Sequence, residues 1–320
     1  MTNRSTSPST NPATNPSTSP SISPGAVVAL VSAKGSPGVT TTALLLAAVW
    51  PGGATLLEAD PAGGDLRTQF SDPTGQPLRA DRGVVSLLTA QATTPASTPA
   101  STAASAGSSV GPDADGLSER LLEHSQQLPG GLPVVLGPSN ASQVEALRPE
   151  WARLADFLRE PGRSHSVVVD AGRLSDPSSL ALTLPLLRTC AVTVVVARAN
   201  VTSLSHTRDL LGLLGQVGLP TRLLLIASTN VQARDTVDVA TALGIPADRI
   251  HVVPEDPASA AALTGPWTRK LDRSRLLAGG RQVAAALSNL HHDSNAEGEA
   301  ETEADGGHLI DLTRPPAVSA

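Results

Sequence analysis

Residues 26–42 read Ala-Val-Val-Ala-Leu-Val-Ser-Ala-Lys-Gly-Ser-Pro-Gly-Val-Thr-Thr-Thr. An apolar run enters a loop containing Gly35 and Gly38, and a helical pattern opens on three hydroxyl side chains. This order of residues can build an anion site. Backbone N–H groups of the loop and of the first helical turn converge on one point, and the helix dipole adds positive potential there. Glycine lets the main chain approach a phosphate with no Cβ in the way. Two acids stand at the ends of other apolar runs. Asp60 lies in Leu-Leu-Glu-Ala-Asp-Pro-Ala-Gly-Gly-Asp-Leu (56–66), and Asp170 closes Ser-Val-Val-Val-Asp (166–170). A carboxylate so placed can orient a water molecule or hold Mg²⁺ through one. Each segment also has a plainer reading: a glycine turn, an aspartate capping a turn, and an aspartate ending a strand.

The elements that would position these residues follow from periodicity. Short β-rich runs are expected as strands at Val27–Val31, Ala54–Glu58, Pro133–Leu136, Ser166–Asp170, Val192–Ala197, Arg222–Ala227 and Ile250–Val253. Helical patterns fall at Thr40–Val49, Ser118–Gln126, Ser142–Arg159, Leu180–Leu187, Val201–Gly215, Val231–Gly244, Ala258–Leu263 and Arg273–Leu287. Strands that are apolar throughout, rather than alternating, imply a sheet covered on both faces. Strand–helix alternation implies βαβ units. The expected fold is therefore α/β, a mainly parallel twisted sheet with helices on both faces. Ligands in such sheets bind at the carboxyl ends of the strands, where Lys34–Thr41, Asp60 and Asp170 all fall.

Bulk composition narrows the function. The chain has 320 residues and a net charge of −6, with no linear Lys/Arg stripe, so sequence-specific nucleic-acid binding is not expected. Lys34 and Lys270 are its only lysines, which makes a lysine beside the glycine loop informative. One cysteine, Cys190, excludes an internal disulfide or a cysteine metal site. The longest purely apolar run, Ala43–Trp50, is too short to span a bilayer. A soluble, cytoplasmic protein is expected, without a signal peptide. Residues 1–24 are nearly all Ser, Thr, Pro and Asn, and an acidic, proline-containing stretch occupies 290–320. Both are expected to be disordered tails. They flank one domain over 25–289, which carries a low-complexity insertion at about 93–115.

The glycine loop resembles the deviant Walker A sequence Lys-Gly-Gly-x-Gly-Lys-Thr-Thr of the ParA/MinD ATPases, P-loop NTPases of the SIMIBI class. Lys34, Gly35, Gly38, Thr40 and Thr41 match; Ser36 stands for a glycine, and Pro37 occupies the variable place. The resemblance implies ATP held by residues 34–41 and Mg²⁺ on the Thr40 hydroxyl, with Asp170 behind it as the Walker B acid. It implies that Asp60 positions the attacking water and that Lys34 reaches the partner's phosphates in a nucleotide-dependent homodimer. Glu58 would be the first acid of the family's Asp-x-Asp-Pro segment. The Pro-Glu-Asp turn within residues 251–263 is similar to the family's late turn near the adenine. Two departures stand out. Val39 replaces the second lysine, and losing such a charge-assisted contact costs on the order of 1.5–3 kcal/mol. Pro37 has no N–H to donate.

Within the class, one cysteine argues against a shared iron–sulfur cluster, and the absence of tyrosine argues against an autophosphorylating tyrosine kinase. The acidic end argues against direct insertion into a membrane by a basic helix. The implied function is a switch that binds Mg-ATP, dimerises and slowly hydrolyses ATP to position or partition a cargo through an unidentified protein partner, as in chromosome partitioning or cell division. The alternative is a pseudo-ATPase, in which Val39 has removed catalysis and the fold serves as an interaction scaffold.

Overall fold

Valine- and leucine-rich strands with no polar face must be covered on both sides, and the architecture meets that demand. The computed structural model describes residues 25–34, 38–93, 116–159, 165–228 and 233–304. The expected tail 1–24, most of the expected insertion and the last residues of the chain lie outside them.

The strands are β1 (Val27–Ser32), β2 (Ala54–Glu58), β3 (Gln126–Gln127), β4 (Pro133–Val135), β5 (Ser166–Arg173), β6 (Val192–Arg198), β7 (Thr221–Ala227) and β8 (Ile250–Pro254). They form one sheet in the order β3-β4-β2-β5-β1-β6-β7-β8. All neighbours are parallel except the edge pair β3–β4. From β1 the chain passes to β2 on one side, and after β5 it crosses to β6 on the other. The carboxyl end of β1 is thus a topological switch point, where ligands of open α/β sheets bind.

Side chains of a strand alternate between faces, and β1 divides accordingly. Val27, Ala29 and Val31 join one apolar cluster, roofed by helices Trp151–Arg159, Pro177–Leu187 and Val201–Gln216. Val28 and Leu30 join the other, covered by helices Val39–Val49 and Arg275–Ala304. The last helix approaches β8 closely at Gly279 and the helix after the glycine loop closely at Gly280. A Cβ at Gly279 would lie 2.8 Å from Pro254, and one at Gly280 would lie 2.8 Å from Leu45. The last helix therefore clamps the helix that follows the glycine loop.

The structure departs from the sequence expectation in several places. The helix expected over Ser142–Arg159 is broken into Ala141–Ala146, a 3₁₀ turn at Arg148–Glu150 and Trp151–Arg159. Pro149 lacks an N–H and pushes the residue before it out of helical geometry. Helices Leu66–Gln69, Val84–Thr93 and Arg269–Asp272 and the two-residue β3 were not expected; all but one are too short to show a period. The final helix continues to Ala304, past the expected end at Leu287 and into the segment expected as a tail. The alanines and glutamates there favour helix without needing a packed face.

Replacing Gly280 with valine should force the two clamped helices apart. Overpacking of this kind costs about 1–3 kcal/mol, so the melting temperature should fall by several degrees, at roughly 2–4 °C per kcal/mol. An unchanged melting temperature would show that the clamp is slack.

Candidate functional site

β1 ends at Ser32, and the following helix opens at Val39. Its N-cap, Gly38, has φ 95° and ψ 39°, the left-handed region that a Cβ disfavours. The Gly38 carbonyl accepts the Thr42 N–H at 2.8 Å and the Thr42 hydroxyl at 2.7 Å. No side chain caps this helix end, and its first turn holds no acid. The first N–H groups of a helix have no acceptor within the helix, so those of Thr40 and Thr41 remain available to an anion. Lys34 is exposed at the start of the loop. Gly35, Ser36 and Pro37 lie outside the described residues. Val39 is only 7% exposed and packs in the apolar cluster with Leu30, Ala43 and Leu46. Its side chain belongs to the core beneath the loop.

Asp170 is carried into the same place by β5. It is 1% exposed and lies beside the Thr40 hydroxyl, which favours its charged form. Its carboxylate accepts the Gly172 N–H at 3.1 Å. Burial pushes its pKa up to about 7; the Thr40 hydroxyl and the Gly172 N–H oppose this, and the negative charges of Asp60 and Glu58 add to it. A buried carboxylate facing two others is a place where a divalent cation would relieve repulsion.

Glu58 and Asp170 are register partners on β2 and β5. Glu58 is 2% exposed, and its two oxygens accept the N–H groups of Leu66 and Gly137, each at 2.9 Å. Burial raises its pKa, and these two bonds oppose the rise. Glu58 thus ties down the loops after β2 and β4. Asp60 is half-buried, and its Oδ1 accepts the Ala62 N–H at 2.7 Å. Its carboxylate lies against Gly172, where a Cβ would come within 2.1 Å of it. Burial raises the Asp60 pKa, and the nearby Arg173 opposes that rise.

The structure therefore gathers Thr40, Asp60 and Asp170 at the mouth of the glycine loop. Lys34 lines a neighbouring cavity of about 580 Å³ together with Arg173. On the other side of the helix N-terminus, Gly38 and Thr41 line a cavity of about 270 Å³ with Ile226, Val253 and Pro254. Arg198 and Glu255 form an ion pair at its rim. That cavity holds the Pro-Glu-Asp turn singled out in the sequence. Three features escaped sequence reasoning: the tethering role of Glu58, the position of Arg173 and the Arg198–Glu255 pair. Each depends on strand register between residues distant in the chain.

These donors fit a Mg²⁺-polyphosphate. A threonine hydroxyl and an aspartate are hard oxygen donors, and Mg²⁺ takes few protein ligands while keeping waters and phosphate oxygens. No group of three or more His, Cys, Asp or Glu residues suited to hold a metal alone occurs among the described residues. No described helix is long and apolar enough to cross a membrane.

No protein-family model matches the chain, and no curated protein matches it in sequence. Its fold does have known counterparts, and they are ParA/MinD ATPases. A ParA family ATPase from Chlorobium tepidum TLS superposes with a TM-score of 0.56 at 19% identity, covering 81% of this chain and 98% of that one. The septum site-determining protein MinD of Pyrococcus horikoshii OT3, complexed with Mg-ADP, gives 0.50 at 16% identity, covering 83% and 97%. The cell division ATPase MinD of Pyrococcus furiosus gives 0.52 at 17% identity, covering 84% and 99%. The chain thus has the ParA/MinD-like P-loop fold.

The Asp170 environment predicts a pH signature in nucleotide-free protein. Its folded-state pKa, about 7, lies above the 3.8 of an ordinary aspartate. The stability linked to its neutral form is present below the lower value and lost as pH rises through the higher one. Asp170→Asn should therefore melt higher than the unmodified chain at pH 8, with the gain shrinking towards pH 5. A variant that melts lower at pH 8 would contradict this environment.

Proposed function

We propose that the chain is a nucleotide-dependent switch. It binds Mg-ATP over residues 34–41, dimerises, and slowly hydrolyses ATP to position or partition a cellular cargo through a protein partner. The observation that carries this reading is the Thr40–Asp170 contact beneath an uncapped helix N-terminus. The backbone from Gly35 to Thr41 cradles the phosphates, with Ser36 in a glycine's place and Pro37 contributing no N–H. The Thr40 hydroxyl and the Asp170 carboxylate beside it would hold Mg²⁺, which would neutralise phosphate charge. Asp60, half-buried and tethered by Ala62, would orient the attacking water. Lys34, exposed at the loop's start, reaches a second copy's phosphates. The cavity at Ile226 and Val253 receives the base. The Mg-ADP complex of the similar archaeal MinD supports this choice of ligand.

A second reading is a pseudo-ATPase that binds partners without turnover. The burial of Val39 in the core favours it, because position 39 then offers the phosphates only a backbone N–H.

Asp60→Ala separates the two readings. The switch predicts slow ATP turnover by the unmodified chain that Asp60→Ala abolishes, with Mg-ATP binding kept. It also predicts a doubled mass by light scattering in a non-hydrolysable ATP analogue but not in ADP. Equal turnover in both proteins would remove Asp60 from the mechanism. Absence of turnover and of dimer in the unmodified chain would favour the scaffold.

A further inference from the structure

Val39 leaves the proposed phosphate site short of positive charge. The described site contributes three carboxylates, from Glu58, Asp60 and Asp170, and a nucleoside triphosphate remains anionic even with its Mg²⁺. Four basic side chains stand near the site among the described residues: Lys34, Arg148, Arg173 and Arg198, and Arg148 is engaged by Glu145. Arg198 is engaged by Glu255, and Lys34 stands exposed at the entrance of the loop.

Arg173 is placed differently. It is the last residue of β5, and its register partner is Ser32, the last residue of β1. The next residue, Leu174, donates its N–H to the Ser32 carbonyl at 2.9 Å. The backbone of Arg173 is thereby fixed beside the point where β1 becomes the phosphate loop. Gly172, with φ 61°, lets the chain turn outward immediately after the buried Asp170. The Arg173 side chain is consequently exposed while Asp170 and Ala171 are buried.

Its surroundings adjoin the strand-end loops on either side. Arg173 lines one cavity with Ala33 and Lys34, and another with Pro61 and Ala62. It therefore stands between the loop after β1 and the loop after β2, next to the Asp60 carboxylate. None of the ion pairs between described residues occupies its guanidinium. A guanidinium presents a fork of N–H donors that matches two phosphate oxygens at once, and it stays charged at any working pH.

We propose that Arg173 supplies the cationic contact to the terminal phosphates that a lysine at position 39 would otherwise provide. This rests on the Mg-ATP reading above. The missing charge is replaced from a neighbouring strand rather than from the loop itself, so Val39 can pack in the core without closing the site to nucleotide.

The test is calorimetric titration of Mg-ATP and of adenosine into the full chain and into Arg173→Ala and Arg173→Lys. Arg173→Ala should weaken Mg-ATP binding by about 10- to 100-fold, the usual cost of a charged hydrogen bond. It should leave adenosine binding and the nucleotide-free melting temperature unchanged. Arg173→Lys should recover part of the affinity. Mg-ATP binding by Arg173→Ala equal to that of the unmodified chain would overturn the assignment while leaving the nucleotide site intact. An equal loss for adenosine and ATP would overturn it too, since it would mark a general structural role. No Mg-ATP binding by the unmodified chain would overturn the proposed function and this inference together.

Discussion

The contact between the Thr40 hydroxyl and the buried Asp170 carboxylate constrains everything around it. Thr40 sits in the first turn of a helix whose position is set by packing on β1 and by the glycine-mediated clamp from the last helix. Asp170 is brought to it by β5, the immediate neighbour of β1 in the sheet. A buried acid at this depth is unfavourable by itself, because desolvation penalises its charge. Glu58 and Asp60 close by make it worse. Folding therefore maintains a small electrostatic defect at the mouth of a helix N-terminus. A divalent cation with an attached polyphosphate is the ligand chemistry that such a defect attracts: positive charge for the acids, negative charge for the helix end.

The loops around this contact are held by backbone-directed bonds rather than by surface ion pairs. Glu58 ties Leu66 to Gly137, and Gly64 donates to the Pro138 carbonyl at 2.8 Å. Exposed ion pairs such as Arg159–Asp156 elsewhere on the surface add little by comparison. The backbone-directed bonds anchor the loop that carries Asp60. The Val39 side chain fills a core position on the face of the sheet covered by the last helix.

Much of the fold was legible because the strands are short, apolar and evenly interleaved with helical periods. Ala54–Glu58 was located to the residue, and the other expected strands shifted by at most a few residues at their ends. That Thr40, Asp60 and Asp170 meet at one end of the sheet was legible because each lies at the end of an apolar strand or the start of the helix after one. Glu58 was not: it reads as another acid in the Asp-x-Asp-Pro segment, yet its second partner is Gly137, 79 residues away. Arg173 escaped for the same reason. Nothing three residues beyond a strand-end aspartate marks an arginine, and its place is set by pairing with Ser32 across the sheet. The break at Pro149 was readable from proline chemistry alone, but the apolar pattern on both sides of it masked the signal.

The most direct test of the central claim, a Mg²⁺-polyphosphate site that survives the loss of its lysine, is a thermal melt of the unmodified chain. Millimolar ATP would be compared with Mg²⁺ present and with Mg²⁺ chelated. Ligand at 100 times its dissociation constant adds about 2.7 kcal/mol, which at roughly 2–4 °C per kcal/mol is a rise of several degrees. That rise is predicted with Mg²⁺ and should largely disappear without it. An identical melting temperature with and without Mg-ATP would contradict a working nucleotide site.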